Sequence, residues 1–258
     1  MVTLISKRRL DSTSWAKPYN RSLLLVFFLM STVSTGCSSM GSSDFEVFDP
    51  NEGINRSIYS ISDRLDKRVV VPVARSYKSL TPGWLRAGIS NISGNILELD
   101  SALNAVLQGK SKAGFSDFSR VLLNSTIGIG GVFDAASDLG IDFSNEDLGQ
   151  TFGMAGWSRS RYLYVPIAGP TTMRDAPGMA YRSFLPRLIF GGAYTWWLGG
   201  ISMLNTRAEA LTLTDTRDST ALDPYAFTRE AYYQRRKYLI FDGDPPADNF
   251  FEDFDEDY

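Results

Sequence analysis

The residue types present set the first limit on the chemistry this 258-residue chain can carry. It has no histidine and one cysteine, Cys37. That removes histidine-based triads, intramolecular disulfides, thiolate zinc sites and most transition-metal centres together. Carboxylates survive the exclusion, with Glu52 and the pair Glu146-Asp147 as candidates for acid/base work. Isolated as they are in the sequence, they read as helix caps or surface charges. The run Gly128-Ile129-Gly130-Gly131 is rich in glycine, but lacks the Lys-Ser/Thr of a phosphate-binding loop. No catalytic set, metal or cofactor is therefore expected, and an enzyme is not the expected class. One reactive handle is left, the sulfur of Cys37.

The surroundings of Cys37 say what that handle is for. Lys7, Arg8, Arg9, Lys17 and Arg21 form a long basic segment, followed by the apolar run Ser22 to Val33. About a dozen residues is too short to span a bilayer comfortably and suits an export signal. Ser34-Thr35-Gly36-Cys37-Ser38 then resembles a bacterial lipobox, with Ser34 where leucine is usual. In that motif the cysteine becomes the new N-terminus and its sulfur carries diacylglycerol. Several acyl chains together hold a protein on a membrane, where one binds marginally. Ser38 in place of aspartate is the pattern associated with outer-membrane retention. Loss of residues 1–36 leaves 21 basic against 28 acidic residues, about −7, which argues against a nucleic-acid partner.

Another stretch with unusual spacing is 115–136. Phe115, Phe118 and Leu122 fall at helical intervals, and Gly128, Gly130 and Gly131 then sit among Ile127, Ile129 and Val132. Such glycine density ends a helix. The segment admits two arrangements. It can be a helix C-cap and a buried turn. It can also be a narrow backbone wall beside an apolar path, with Asn124 and Asp134 as polar contacts at its two ends.

The elements that must position these residues read mostly as helices. Asp49 is placed to cap a helix with Pro50 at its first position, carrying the stripe Ile54, Ile58, Ile61 and Leu65. Val69 to Ala74, broken by Pro72, reads as an extended connector. Thr81-Pro82 opens the longest helix, to about Gly109, with Leu85, Ile89, Ile92, Ile96, Leu99, Leu103 and Val106 on one stripe. Its other face is small or neutral: Ala87, Ser90, Asn91, Gly94, Ser101 and Ala105. A helix facing water carries more Lys and Glu, so this one suits packing on both sides or a lipid-facing position. Tyr162 to Ile167 reads as extended, Gly169-Pro170 as a turn, and Thr171 to Asp175 as a helix start. Leu188 to Asn205 is uncharged, and Trp196 and Trp197 favour an interfacial position. Glycines and Pro186 favour a helix or helical hairpin, in one leaflet or in the protein core, over a full span. Asp223-Pro224 starts a last helix, and the acidic residues after Ile240 read as a disordered tail.

Several separate blocks then coincide in one order. Asp49-Pro50-Asn51-Glu52-Gly53-Ile54-Asn55-Arg56, Pro72-Val73-Ala74, Arg120…Asn124…Gly128-Ile129-Gly130-Gly131…Asp134 and Gly149-Gln150-Thr151-Phe152-Gly153 resemble the MlaA (VacJ) family. So do Pro166…Gly169-Pro170…Arg174-Asp175 and Asp223-Pro224-Tyr225…Arg229…Ala231-Tyr232…Gln234-Arg235. The pattern departs at Met154 to Arg161, where the family has Trp-Gly and a glycine-rich lead. The resemblance implies a mainly α, single ring-like helical domain of amphipathic, membrane-embedded helices with little or no β. The organisation is then 1–36 signal peptide, 37–44 lipidated tether, 45–240 helical domain and 241–258 acidic tail. It also implies an outer-membrane lipoprotein of a Gram-negative bacterium, anchored on the periplasmic side. Such a protein removes misplaced phospholipid from the outer leaflet through an amphipathic channel. Its implied partners are phospholipid, a trimeric porin and a soluble periplasmic carrier protein. Two other classes stay open: a lipoprotein that only braces porins, and a periplasmic hydrolase built on the carboxylates above.

Overall fold

The computed structural model describes residues 47–191 and 194–246. The signal peptide, Cys37, the tether and residues 247–258 of the acidic tail lie outside the described residues. The elements in order are α1 (Glu52–Leu65), a π-helical turn (Asp66–Val70), α2 (Val71–Leu80), α3 (Gly83–Leu107) and α4 (Ser111–Thr126). There follow α5 (Ala135–Asp138), α6 (Leu148–Met154), β1 (Tyr162–Val165), β2 (Gly169–Thr172), α7 (Ala176–Phe190), α8 (Tyr194–Glu209), α9 (Leu211–Thr220) and α10 (Pro224–Ile240). The domain is mainly α, as the sequence implies. The two strands form one antiparallel hairpin, with Tyr162 opposite Thr172 and Val165 opposite Gly169. None of the described helices is long and apolar enough to cross a membrane.

The buried set is more polar than apolar among the described residues, and many large apolar side chains are exposed. Among the described residues, seventeen buried side chains are polar or charged against twelve hydrophobic ones, so burial of oil cannot be the main organiser. Of the α3 stripe, Leu85, Leu103 and Val106 are exposed and Ile89, Ile92, Ile96 and Leu99 half-buried. Of the small, neutral face, Ser101 and Ala105 are buried, Asn91 and Gly94 half-buried and Ala87 and Ser90 exposed; Gly88, Glu98, Asp100, Ala102 and Asn104 complete the buried set. Helix α1 does the same: Ile54, Ile61 and Leu65 face out, and Asn55 and Tyr59 are buried.

Local expectations were met at some points and corrected at others. Asp223 caps α10, accepting from the N–H groups of Tyr225 and Ala226, with Pro224 at the first position. Asp49 does not cap α1, which starts at Glu52. Its carboxylate instead accepts from Asn55 Nδ2 (2.8 Å) and from the Tyr225 hydroxyl, and pairs with Arg229 (3.3 Å), tying α1 to α10. Val69 to Ala74 is helical rather than extended: the chain runs on through the π-helical turn with Val70 and Val71 in helical conformation, and the widened turn, with Val71 N–H bonded to the Asp66 carbonyl, comes just before Pro72. The turn expected at Gly169-Pro170 lies at Pro166 to Ala168, with Ile167 at φ 69°. Thr171 and Thr172 end β2, so the next helix begins later, at Ala176.

A tyrosine cluster forms one hydrophobic part of the interior, and Ala74, Ala208 and Leu211 form another. Tyr59, Tyr162, Tyr225 and Tyr233 pack together, with the Tyr162 ring 6.0 Å from Tyr225 and edge-on to it. Ion pairs stitch the rest. Asp147 caps α6 through the Gln150 N–H and receives Arg236 of α10 at 2.6 and 2.9 Å. Burial pushes its carboxyl up, but the Arg236 guanidinium outweighs this and holds it down at about 2. A carboxyl depressed on folding stabilises above its unfolded pKa and loses that contribution as pH falls through the folded one. Asp147→Asn should thus cost roughly 2 kcal/mol at neutral pH. The difference from the parent chain should shrink as pH falls from about 4 toward 2. Unfolding of both proteins in detergent across that range checks it, and a pH-independent difference would contradict the assignment.

Candidate functional site

The last turns of α4 and the glycine turn behind it form one hydrogen-bonded unit. Arg120 and Asn124 lie one helical turn apart on the buried face of α4. Arg120 Nε and Nη2 donate to Glu98 of α3 at 2.9 and 2.8 Å, and Nη2 also reaches both Asp134 oxygens at 3.0 and 3.1 Å. Its Nη1 donates to Ser137 Oγ and to the Ile141 carbonyl. Asn124 donates to Glu98 (3.3 Å) and Asp134 (3.1 Å) and accepts from the Ala136 N–H (2.9 Å). Burial raises the Glu98 carboxyl above its ordinary range despite the guanidinium beside it. Asp134 is pushed up by burial too, but donors from Ser137, Asn124 and Arg120 bring it below its ordinary value.

Between Asn124 and Asp134 the chain turns through the glycines. The Gly130 N–H bonds to the Ser125 carbonyl, Gly131 N–H to Asn124, and Phe133 N–H to Gly128. Asn91 of α3 holds the turn through the Val132 carbonyl, and Asn95 through Ser125. Gly128 has no space for a side chain: an added Cβ would lie 2.2 Å from the Phe133 carbonyl oxygen. Gly131 has φ 86° and abuts Asn95, whereas Gly130, at φ 69°, faces open space. Ile129 is held at φ 53°, an uncommon conformation for a β-branched residue. Ile127, Ile129 and Phe133 point outward, at 64%, 68% and 58% exposure. The turn thus presents an apolar rim over a charged, hydrogen-bonded base, with Asn124 and Asp134 both in the base.

Other candidates are scattered. Trp196 and Trp197 stand on α8 and are largely exposed, and the Arg187 guanidinium lies 5.6 Å from the Trp196 ring centre. Glu52 pairs with Arg56 and Arg229, Glu146 with Lys110, and Asp147 with Arg236, so the three carboxylates serve separate ion pairs. Lys110 also reaches Asp242, at the mouth of a groove of about 720 Å³ between the α3–α4 turn and the end of α10. Sequence reasoning missed Glu98 as a site residue and gave Arg120 no role. Arg120 is the single charge between Phe118 and Phe133, which was the available signal.

Removing one partner from the base leaves buried charge uncompensated. Arg120→Met should therefore destabilise the fold by about 3–5 kcal/mol, against less for Glu98→Gln, which keeps an acceptor. Gly128→Ala should disrupt the turn outright, while Gly130→Ala, strained only in its backbone, should cost about 1–2 kcal/mol. Thermal midpoints of the four variants in detergent give the order, and equal effects at Gly128 and Gly130 would contradict this geometry.

Known proteins share this architecture. The family model described as MlaA lipoprotein matches residues 47–239. The intermembrane phospholipid transport system lipoprotein MlaA of Escherichia coli (strain K12) is 33% identical over 230 residues, covering 86% of this chain and 90% of that protein. Its namesake in Haemophilus influenzae is 29% identical over 230 residues, covering 85% and 91%. A solved chain from work on the structural basis for maintenance of bacterial outer membrane lipid asymmetry superposes with a TM-score of 0.66 at 30% identity. It covers 74% of this chain and 98% of that chain. With its helical order, its inward charged base and its outward apolar faces, the chain belongs to the MlaA lipoprotein family.

Proposed function

We propose that this protein is an outer-membrane lipoprotein that takes misplaced phospholipid from the outer leaflet and passes it to a soluble periplasmic carrier. The observation that carries the proposal is the inverted distribution of polarity. A body with charged, hydrogen-bonded contacts inside and Leu, Ile, Phe and Trp outside suits an apolar surrounding on much of its surface. The described helices, none of them both long and apolar enough to span, suit burial in one leaflet. Relatives named for intermembrane phospholipid transport support the same direction. The protein acts without catalysis: lipid moves along a polar interior while its acyl chains stay in apolar surroundings. A trimeric porin is the proposed neighbour, packed on part of the apolar exterior, and Cys37 carries the anchor. The apolar exterior would equally serve a lipoprotein that only braces porins, so the assays must read lipid and not just assembly.

Two substitutions test this in cells lacking the native copy. Cys37→Ala should leave the protein unacylated and out of the outer-membrane fraction, and normal acylation there would sink the anchor. Gly130→Val places a side chain in the open space of the glycine turn. If a lipid slides past that rim, outer-leaflet phospholipid should rise several-fold, beyond the fall in folded protein that strain at φ 69° brings. A loss of transport only in proportion to lost folded protein would assign the glycines to folding and put the path elsewhere.

A further inference from the structure

A second cleft, of about 340 Å³, opens between the β2–α7 junction, the segment before α6 and one side of α10. We infer that it binds a phosphate group, either as a free anion or as the phosphodiester of a lipid headgroup. In the second case the site rests on the transport function proposed above and places a polar station on the route.

Some of the donors there are unspent. Arg235 of α10 lines the cleft and has no hydrogen-bond or ion-pair partner among the described residues. Arg182 of α7 gives Nε to Asp100 and Nη2 to the Glu146 carbonyl, while its Nη1 lies 3.9 Å from Asp147, beyond hydrogen-bond reach. Arg236, 8% exposed, has an Nε–H that is buried without an acceptor. Thr171, 0% exposed, has a buried hydroxyl with no partner in hydrogen-bond geometry, beside the Tyr232 hydroxyl that donates to Asp175 at 2.6 Å. Buried groups of this kind cost free energy unless something pairs with them. The fifteen-residue α7 also starts here: Gly178 lines the cleft, and no side chain caps the helix. Pro177 has no N–H, so the first-turn amides of Ala176 and Gly178 are the ones that favour negative charge.

The acidic residues in the wall do not cancel this. Asp147 is engaged by Arg236 and the Gln150 N–H, and Asp175 by Arg174, Arg236, Tyr232 and Thr172. Counting Asp100, three carboxylates face four guanidiniums, those of Arg174, Arg182, Arg235 and Arg236, which leaves one positive charge over. Donors from Arg235, Arg236, Thr171 and α7 line one cleft from different elements. A tetrahedral phosphate can accept from all of them, while a flat carboxylate offers two oxygens in one plane.

The test uses the full lipidated chain in a phosphate-free detergent. Calorimetry and ³¹P NMR follow titration with inorganic phosphate and, separately, with glycerophosphoethanolamine. Saturable one-site binding is expected for at least one of them. Arg235→Gln should weaken it about tenfold and Arg235→Lys less, since lysine keeps the charge and loses the fork. Thr171→Val should weaken it about threefold. The thermal midpoint of the Arg235 variants should not move, because that side chain is exposed. Tighter binding of glycerophosphoethanolamine would identify a lipid headgroup as the source, and tighter binding of inorganic phosphate a soluble anion. No saturable binding of either probe, or affinity untouched by Arg235→Gln, would overturn the site. Wild-type protein that binds a probe but restores no outer-leaflet clearance would defeat the transport function and leave the site standing. Normal clearance by a chain that binds neither probe would do the reverse.

Discussion

The contact on which the rest depends is the buried guanidinium of Arg120. It holds Glu98 on one helix and Asp134 beyond the glycine turn in a single grip, so α3, α4 and the turn cannot move independently. In a hydrophobic core the same three segments would be held by shape, with latitude of about a methyl group. A guanidinium with its donors engaged fixes direction as well as distance. Buried ion pairs contribute little net stability compared with well-packed oil, and their use here fits a demand for definite geometry.

Arg236 repeats the device on α10, linked back to α3 through Asp147, Arg182 and Asp100. It reaches Asp147 and Asp175, and Asp175 in turn receives Arg174, Tyr232 and Thr172. Asp49 plays the equivalent part between α1 and α10. Each centre joins segments far apart in the sequence, and none needs an apolar core. That frees the outward faces to be matched to their surroundings and explains how a chain of ordinary hydrophobic content (43%) folds with so few buried hydrophobes.

Much of this could be read from the sequence, though not which way the helices face. Helix positions followed from spacing: α3 began one residue after Pro82, and α10 at Pro224 behind its Asp223 cap. The unbroken Leu/Ile stripe of α3 says that one face is apolar; it cannot say whether that face meets protein or lipid. The clue was the opposite face, whose serines, asparagines and glycines suit close packing. Asp49 misled because cap and long-range ion pair use the same carboxylate, and only the fold brings Arg229 and Tyr225 to it. The cleft around Arg235 was invisible for a similar reason, since its walls come from four separated segments.

A polar interior also changes how this fold meets temperature. Apolar surface exposed on unfolding raises the heat capacity, while polar surface lowers it. A protein that hides Glu98, Arg120, Asp175 and Arg236 more than leucines has less of the first contribution and more of the second. Its stability curve should be broad and shallow, with the resistance to melting drawn from enthalpy of bonded pairs. Cooling then takes little from it, since there is little hydrophobic drive to fade.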